Sequence, residues 1–185
     1  MNLREILESL SSNPVEPTYA PNAPGLYAIF GSPEVWEELG LGVPPDERPL
    51  YVGKAEKSLL LRDVRQHFGT GKTGSSTVRR SVAALLKAKR GYVGVPRNPA
   101  KPGHFSNYAL GLEHDERLTA WMLANLRLGT WSPGDAGSVV LDEWETKVLD
   151  AWKPPLNLSK VKTAWSLELK RLRKLLADEA RDFRV

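Results

Sequence analysis

The chain of 185 residues contains no cysteine. This absence excludes disulfide bridges, thiolate zinc sites and catalysis by a cysteine nucleophile. The sequence also lacks an apolar run long enough to span a membrane, and its first eight residues mix charges with apolar positions, unlike a signal peptide. We therefore expect a cytoplasmic protein without a membrane partner.

The charge of the chain is mildly basic, with a formal net charge of +4 and a pI of about 9.3. A first basic block contains Arg79, Arg80, Lys87, Lys89, Arg90 and Arg97. A second basic block contains Lys160, Lys162, Lys170, Arg171, Arg173 and Lys174. Such clusters attract polyanions through phosphate contacts and counterion release. Solvated helix faces are the alternative explanation, and charge alone does not separate the two.

The size of the chain and its apolar fraction of 41% are typical of one domain with an ordinary core. Short apolar runs predict three strands, over residues 25–30, 50–52 and 105–112. Helical spacing of apolar residues predicts helices at both ends of the chain and over 57–68, 78–90, 113–128 and within 139–152. Three strands among many helices indicate an α+β fold.

We expect a core over residues 24–157, which follows an N-terminal helix and linker over 1–23. A basic C-terminal helix is expected within 158–185.

Five short pieces then follow one another in a particular order. They are Gly25-Leu26-Tyr27, Tyr51-Val52-Gly53, Arg62 in the following helix, Glu145, and the ending Pro154-Pro155-Leu156-Asn157. This order resembles that of the GIY-YIG nuclease superfamily over most of the chain. Each tripeptide alone is a weak signal, but all the pieces in one order are a specific one.

The resemblance implies a small three-stranded antiparallel sheet flanked by helices, and a metal-dependent endonuclease that acts on DNA. It also implies that Tyr27 and Tyr51 flank the scissile phosphate and that one of them deprotonates the attacking water. We favour Tyr27. Free tyrosine titrates near 10. A neighbouring cation such as Lys54 favours the phenolate that a general base requires.

The resemblance assigns the phosphate to Arg62 and a divalent cation to Glu145. A lone carboxylate, together with phosphate oxygens and waters, suits Mg²⁺ (or Mn²⁺). Asp142 and Glu143 are the alternative ligands. Asp142 shares a helix face with Glu145 while Glu143 diverges from it. Glu145 is preferred because its distance to the ending that contains Asn157 resembles the family pattern.

Two departures from the family pattern stand out. Residues 32–49 make the interval between Tyr27 and Tyr51 unusually long, which leaves the role of this loop open. One α-helical turn after Arg62, where the family often has a histidine, stands Gln66. His67 follows one residue later, so an α-helix would direct it away from the phosphate, and its catalytic role is left open.

The loop over 69–73 contains Gly-Thr-Gly-Lys-Thr but lacks the first glycine and the preceding strand of a P-loop. We interpret it as part of a nucleic-acid-binding segment. The predicted substrate-binding residues are Lys72, Ser76, Arg79, Arg80 and Asn157. For Asn157, a bond to the backbone, a bond to substrate and a loop cap are all open.

The alternative function is a nucleic-acid-binding module that has the same fold but does not cleave. The four residues Tyr27, Tyr51, Arg62 and Glu145 argue together against it. Strand preference, a role for RNA, and the oligomeric state are not determined by the sequence.

Overall fold

The computed structural model describes residues 2–98, 100–134 and 140–183, without the side chains of Asp63, Val64 and residues 102–104. Its strands are β1 (Gly25–Gly31), β2 (Tyr51–Ala55), β3 (Gly94–Val95), β4 (Ala109–Leu110) and β5 (Leu126–Trp131). Its α-helices are α1 (Leu3–Ser11), α2 (Pro33–Glu38), α3 (Thr77–Arg90), α4 (Leu112–Asn125), α5 (Leu141–Trp152) and α6 (Ser166–Asp182). A π-helix spans Leu60–His67, and 3₁₀ turns span Thr73–Ser75 and Pro102–Asn107.

A three-stranded antiparallel sheet with the order β2-β1-β5 forms the centre of the molecule. Successive side chains of β1 point to opposite faces, as the pleat of a strand requires. Tyr27 and Ile29 belong to one apolar cluster, and Leu26 and Ala28 belong to the other. The expected α+β fold with a small antiparallel sheet is confirmed.

Helices cover both faces of this sheet. On the Leu26 face, Ile6 and Leu10 of α1 and Val148 and Leu149 of α5 complete the cluster. On the Tyr27 face, the apolar residues come from α2, α3, α4 and α6. The sheet therefore separates an apolar cluster that includes α3 from one that includes α5, although both helices belong to the same layered fold.

The third strand of the sheet is β5, and the prediction of a strand over 105–112 is wrong. Within that range, only Ala109–Leu110 forms a strand, and it pairs with β3 in a separate two-stranded sheet. The helix predicted over 113–128 ends at Asn125, where β5 begins along the open edge of β1. In β5, Leu126 and Leu128 are buried while the intervening residue is exposed, which is the alternation of a half-buried strand.

The predicted terminal helices are confirmed as α1 and α6. In α1, Asn2 caps the N-terminus: its side chain accepts a bond from the Glu5 N–H, and the Glu5 side chain bonds back to the Asn2 N–H. In α6, Leu169 and Leu176 are buried. Among the described residues, no helix combines the length and the apolar character needed to cross a bilayer.

Candidate active site

A cleft of about 580 Å³ lies beside β2. Residues from β1, β2, the π-helix and α5 line it, so four separate parts of the fold contribute to one surface. The predicted catalytic residues that line it are Tyr27, Tyr51, Lys54, Arg62 and Glu145. His67 does not line the cleft but lies against both Tyr27 and Tyr51.

The two tripeptides interlock at the cleft. In the β1–β2 pair, Tyr27 lies directly opposite Gly53. A Cβ atom on Gly53 would lie 2.5 Å from both Cζ and Oη of Tyr27. Because this distance is far shorter than any real contact, only glycine leaves room for the tyrosine ring at this position. The glycine of the second tripeptide thus sets the place of the tyrosine of the first.

The Tyr27 hydroxyl is bonded to His67. The Tyr27 oxygen lies 2.7 Å from His67 Nε2, and His67 Nδ1 lies 2.8 Å from the Ser76 hydroxyl oxygen. Ser76 also caps α3, where its oxygen accepts a bond from the Arg79 N–H. Tyr27 exposes 0% of its surface and His67 exposes 1%. The Tyr51 ring, which is only half-buried, has its centroid 6.1 Å from that of Tyr27.

The expectation that His67 points away from the site is wrong, and the reason is the type of helix. Residues Leu60–His67 form a π-helix, in which hydrogen bonds join residues five apart. His67 is five residues after Arg62, so it comes one π-turn later on the same side. Gln66, which an α-helix would place there, lies at the cleft and donates to the Ser75 carbonyl at 2.9 Å.

His67 is neutral at physiological pH. Burial lowers its pKa from the ordinary value of 6.5 to about 3, and the positive charges of Arg62 and Arg79 act in the same direction. A neutral imidazole has one N–H donor and one acceptor nitrogen. The contacts of His67 are compatible with either tautomer, because both Tyr27 and Ser76 offer hydroxyl groups.

Glu145 lies in a chain of alternating charges along the cleft wall. Lys160 Nζ is 2.7 Å from Glu145 Oε2 and 2.7 Å from Asp142 Oδ1. Lys54 Nζ is 3.0 Å from Asp142 Oδ1 and 2.5 Å from Glu56 Oε1. Hydrogen bonds from Lys160 and Lys54 hold the pKa of Asp142 below its ordinary value. In the sequence, Lys160 is recognisable only as a member of a basic block. Its contact with Glu145 forms because the chain turns back after α5.

The donor set at Glu145 fits a Mg²⁺ or Mn²⁺ ion that keeps most of its waters. Its side chain is 12% exposed and lines the cleft, and one carboxylate oxygen already lies beside a cation, the Lys160 ammonium. Within the described ranges, no group of three or more His, Cys, Asp or Glu side chains could hold a metal. The available protein ligand is thus a single carboxylate, which Mg²⁺ commonly combines with waters and substrate phosphates.

The family model that describes the GIY-YIG catalytic domain matches residues 45–175 of this sequence, well over half of the chain. The protein belongs to the GIY-YIG family. Membership indicates a nuclease-type function and a nucleic-acid substrate. No curated protein and no solved structure shows a significant match to the chain. The matched range begins after β1, and the β1–β2 pairing adds Tyr27 to the site of this GIY-YIG protein.

Asn157 of the GIY-YIG chain bonds to the backbone of β2. Its Oδ1 accepts from the Val52 N–H at 2.9 Å, and its Nδ2 donates to the Val52 carbonyl at 2.8 Å. Asn157 lies outside the set that lines the cleft and both ends of its amide are bonded to Val52, so it is not available to substrate. Of the three roles left open for it, the backbone role is the one observed. Asn157 aligns the strand that carries Tyr51 and Gly53.

The prediction that Arg79 and Ser76 contact nucleic acid is wrong. Both expose 0% of their surface. The Arg79 guanidinium forms a salt bridge with the buried Asp115 and also donates to Thr73 Oγ1 at 3.1 Å and to the His67 carbonyl at 3.3 Å. Arg79 therefore joins the π-helix, the following loop and α4, and helps to hold His67 in place. Ser76 acts as a helix cap and as the second partner of His67.

The remaining predicted substrate-binding residues, Lys72 and Arg80, lie outside the set that lines the cleft. Lys72 is exposed on the loop before the Thr73–Ser75 turn. Arg80 is 6% exposed, and its guanidinium donates to the carbonyls of Thr73 and Gly74. Contact of Lys72 with nucleic acid stays a prediction.

Proposed function

We propose that this protein is a divalent-metal-dependent endonuclease that hydrolyses DNA phosphodiester bonds by direct attack of water. The observation that carries the proposal is the convergence of Tyr27, Tyr51, Arg62 and Glu145 on one cleft. These residues supply a general base, a cation for the phosphate and a metal ligand, which are the groups that such a hydrolysis needs.

Tyr27 is the proposed general base, and His67 prepares it. When Ser76 donates its hydroxyl hydrogen to His67 Nδ1, the proton of the neutral imidazole resides on Nε2, 2.7 Å from the Tyr27 oxygen. An N–H donor at that distance stabilises the phenolate form of Tyr27 relative to the phenol. The phenolate can then accept a proton from the attacking water.

Arg62 and Lys54 are proposed to stabilise negative charge in the cleft. A guanidinium group can form paired hydrogen bonds to phosphate oxygens, which is the role assigned to Arg62. Lys54 stays protonated, because hydrogen bonds to Glu56 and Asp142 raise its pKa. Its charge favours both the phosphate and a tyrosine phenolate. Tyr51, on the neighbouring strand, also lines the cleft and is the second tyrosine that we propose to contact the phosphate.

Glu145 is the proposed ligand of Mg²⁺ or Mn²⁺. The bound ion would supply stabilisation of the charge on the phosphate and on the leaving oxygen. Lys160 holds Glu145 in place, and Asp142 offers Lys160 a second carboxylate 2.7 Å away.

The proposal is tested by incubating the protein with single- and double-stranded DNA and RNA in Mg²⁺, Mn²⁺ or EDTA. We expect cleavage of DNA that EDTA abolishes. Tyr27→Phe should lower the single-turnover rate by about 10²–10⁴, the usual contribution of a general base. Glu145→Gln should abolish cleavage but preserve binding in EDTA, because removing a carboxylate does not weaken attraction to a polyanion. Glu143→Gln, exposed on the same helix, is the matched control.

Several results would contradict the proposal. Cleavage in EDTA would refute the metal requirement, and exclusive cleavage of RNA would refute the assignment of DNA. Binding without cleavage under every metal condition would support a non-catalytic module. Activity that survives both Tyr27→Phe and Glu145→Gln would place the nuclease site elsewhere.

A further inference from the structure

Three arginines from separate elements meet at the beginning of α3. They are Arg80 of α3, Arg97 of the segment after β3, and Arg173 of α6. Arg80 Nη1 donates to the Gly74 carbonyl at 2.9 Å, and the stem of Arg97 packs on the same glycine, where an added Cβ would lie 2.7 Å from Arg97 Cγ. Arg173 Nη1 lies 3.4 Å from the hydroxyl of Ser81, the residue after Arg80. We call these residues the arginine cluster.

Among the described residues, no carboxylate lies within salt-bridge distance of the arginine cluster. The nearby cations differ in this respect: Lys87 pairs with Glu179, and Lys174 pairs with Asp178. The cluster thus concentrates like charges that oppose folding unless an anion offsets them.

Arg80 is the buried member of the cluster. It is 6% exposed, and its Nε has no hydrogen-bond partner among the described residues. Burial lowers the pKa of Arg80 to about 10, and the charges of Arg173 and Arg97 add to this effect. A buried charge without a carboxylate is costly, and such costs are commonly retained where a site binds a ligand of opposite charge.

The cluster lies between the cleft and a second groove. Gln66, which lines the cleft, donates to the Ser75 carbonyl at 2.9 Å, and Arg80 donates to the carbonyl of the preceding residue, Gly74. Arg173 also lines a groove of about 420 Å³ along α6, which we call the α6 groove. Its charged lining residues are Lys170, Arg173, Lys174, Arg181 and Asp178. Lys174 and Arg181 both pair with Asp178, so the groove keeps a net positive charge, and this charge adjoins the cluster through Arg173.

We propose that Arg80, Arg97 and Arg173 form a second phosphate-binding subsite, which holds a backbone phosphate beside the scissile one and directs the strand into the α6 groove. The exposed Arg97 and the half-buried Arg173 supply the contacts, and the buried Arg80 adds charge. Guanidinium groups favour phosphate because their forked donors match its oxygens. This subsite rests on the proposed function, since the phosphate belongs to the nucleic acid in the cleft.

The subsite is tested by DNA binding in EDTA, where cleavage plays no part. Fluorescence anisotropy with a labelled duplex gives the affinity of the full-length protein as a function of salt. Arg97→Gln and Arg173→Gln should each weaken binding about tenfold. The double variant should flatten the slope of log K against log salt by about 0.9 for each phosphate that the protein no longer binds. Arg171→Gln is the control, since Arg171 is exposed on α6 and paired with Glu168.

A second measurement uses inorganic phosphate as the probe. Phosphate should raise the melting temperature of the wild type above that in chloride at equal ionic strength, because a ligand of the folded state stabilises it. Arg97→Gln should reduce this difference. Because Arg97 is exposed, its substitution should not impair folding. Arg97→Gln therefore tests the subsite even where substitution of the half-buried Arg173 impairs folding.

An unchanged salt slope and an unchanged phosphate effect in Arg97→Gln would overturn the subsite. The proposed function would not be affected by that result, because the cleavage rates of Tyr27→Phe and Glu145→Gln test it separately. Conversely, altered binding in the arginine variants together with no cleavage by the wild type would support the subsite and refute the nuclease activity.

Discussion

Substituting Gly53 with alanine should displace the proposed general base without removing any of its atoms. The added Cβ would lie 2.5 Å from Cζ and Oη of Tyr27. Because carbon atoms pack at about 3.5 Å, the ring must move by about 1 Å. The hydrogen bond between Tyr27 and His67, now 2.7 Å, would then exceed the usual limit of about 3.2 Å. A misplacement of this size typically costs about 10²-fold in rate.

The assay is single-turnover cleavage at saturating DNA and metal, with urea denaturation to measure the free energy of unfolding. Overpacking should cost Gly53→Ala about 1–3 kcal/mol of stability. Gly111→Ala is the matched control: an added Cβ at Gly111 would have no atom of the described residues within 4 Å, and the φ of Gly111 is −59°. It should cleave at the wild-type rate.

A double variant separates displacement of the hydroxyl from other effects. In a Tyr27→Phe background the hydroxyl is already absent, so Gly53→Ala should lower the rate much less than it does in the wild type. The reasoning is refuted if Gly53→Ala alone cleaves within about twofold of the wild type. It also fails if the two rate losses simply multiply, because Gly53 would then act independently of the Tyr27 hydroxyl.

His67→Gln should flatten the pH dependence of the free energy of unfolding between pH 3 and 6.5. In this range the imidazole of His67 binds a proton in the unfolded chain but stays neutral in the folded protein. In the wild type this effect lowers stability on acidification by up to about 1.4 kcal/mol per pH unit, and urea midpoints that fall equally in both proteins would contradict it. Asp115→Asn should cost about 3–5 kcal/mol because it leaves Arg79 buried without its carboxylate; a calorimetric loss below 1 kcal/mol would argue against a core role. Asn157→Ala should cost about 1–3 kcal/mol for each unpaired Val52 group, and unaltered amide exchange at Val52 would disprove that contact.

The sequence by itself indicated the residue types of the candidate site and the class of the fold. Tyr27, Tyr51, Arg62 and Glu145 are recognisable because residue types, short motifs and their order along the chain are visible before the chain folds. The same holds for the terminal helices, whose apolar spacing and capping residues lie within a few positions of each other. In the folded protein, all four side chains line the same cleft.

Only the tertiary structure decided which strand completes the sheet and which of two buried arginines has a carboxylate partner. The segment Leu126–Trp131 becomes a strand because β1 has an open edge beside it, and strand propensity depends strongly on such neighbours. Arg79 and Arg80 are adjacent in sequence, yet Asp115 neutralises only Arg79. The π-helix brings His67 to Tyr27, against an α-helical register. In each case the deciding contact joins residues distant in the chain, so local pattern could not reveal it.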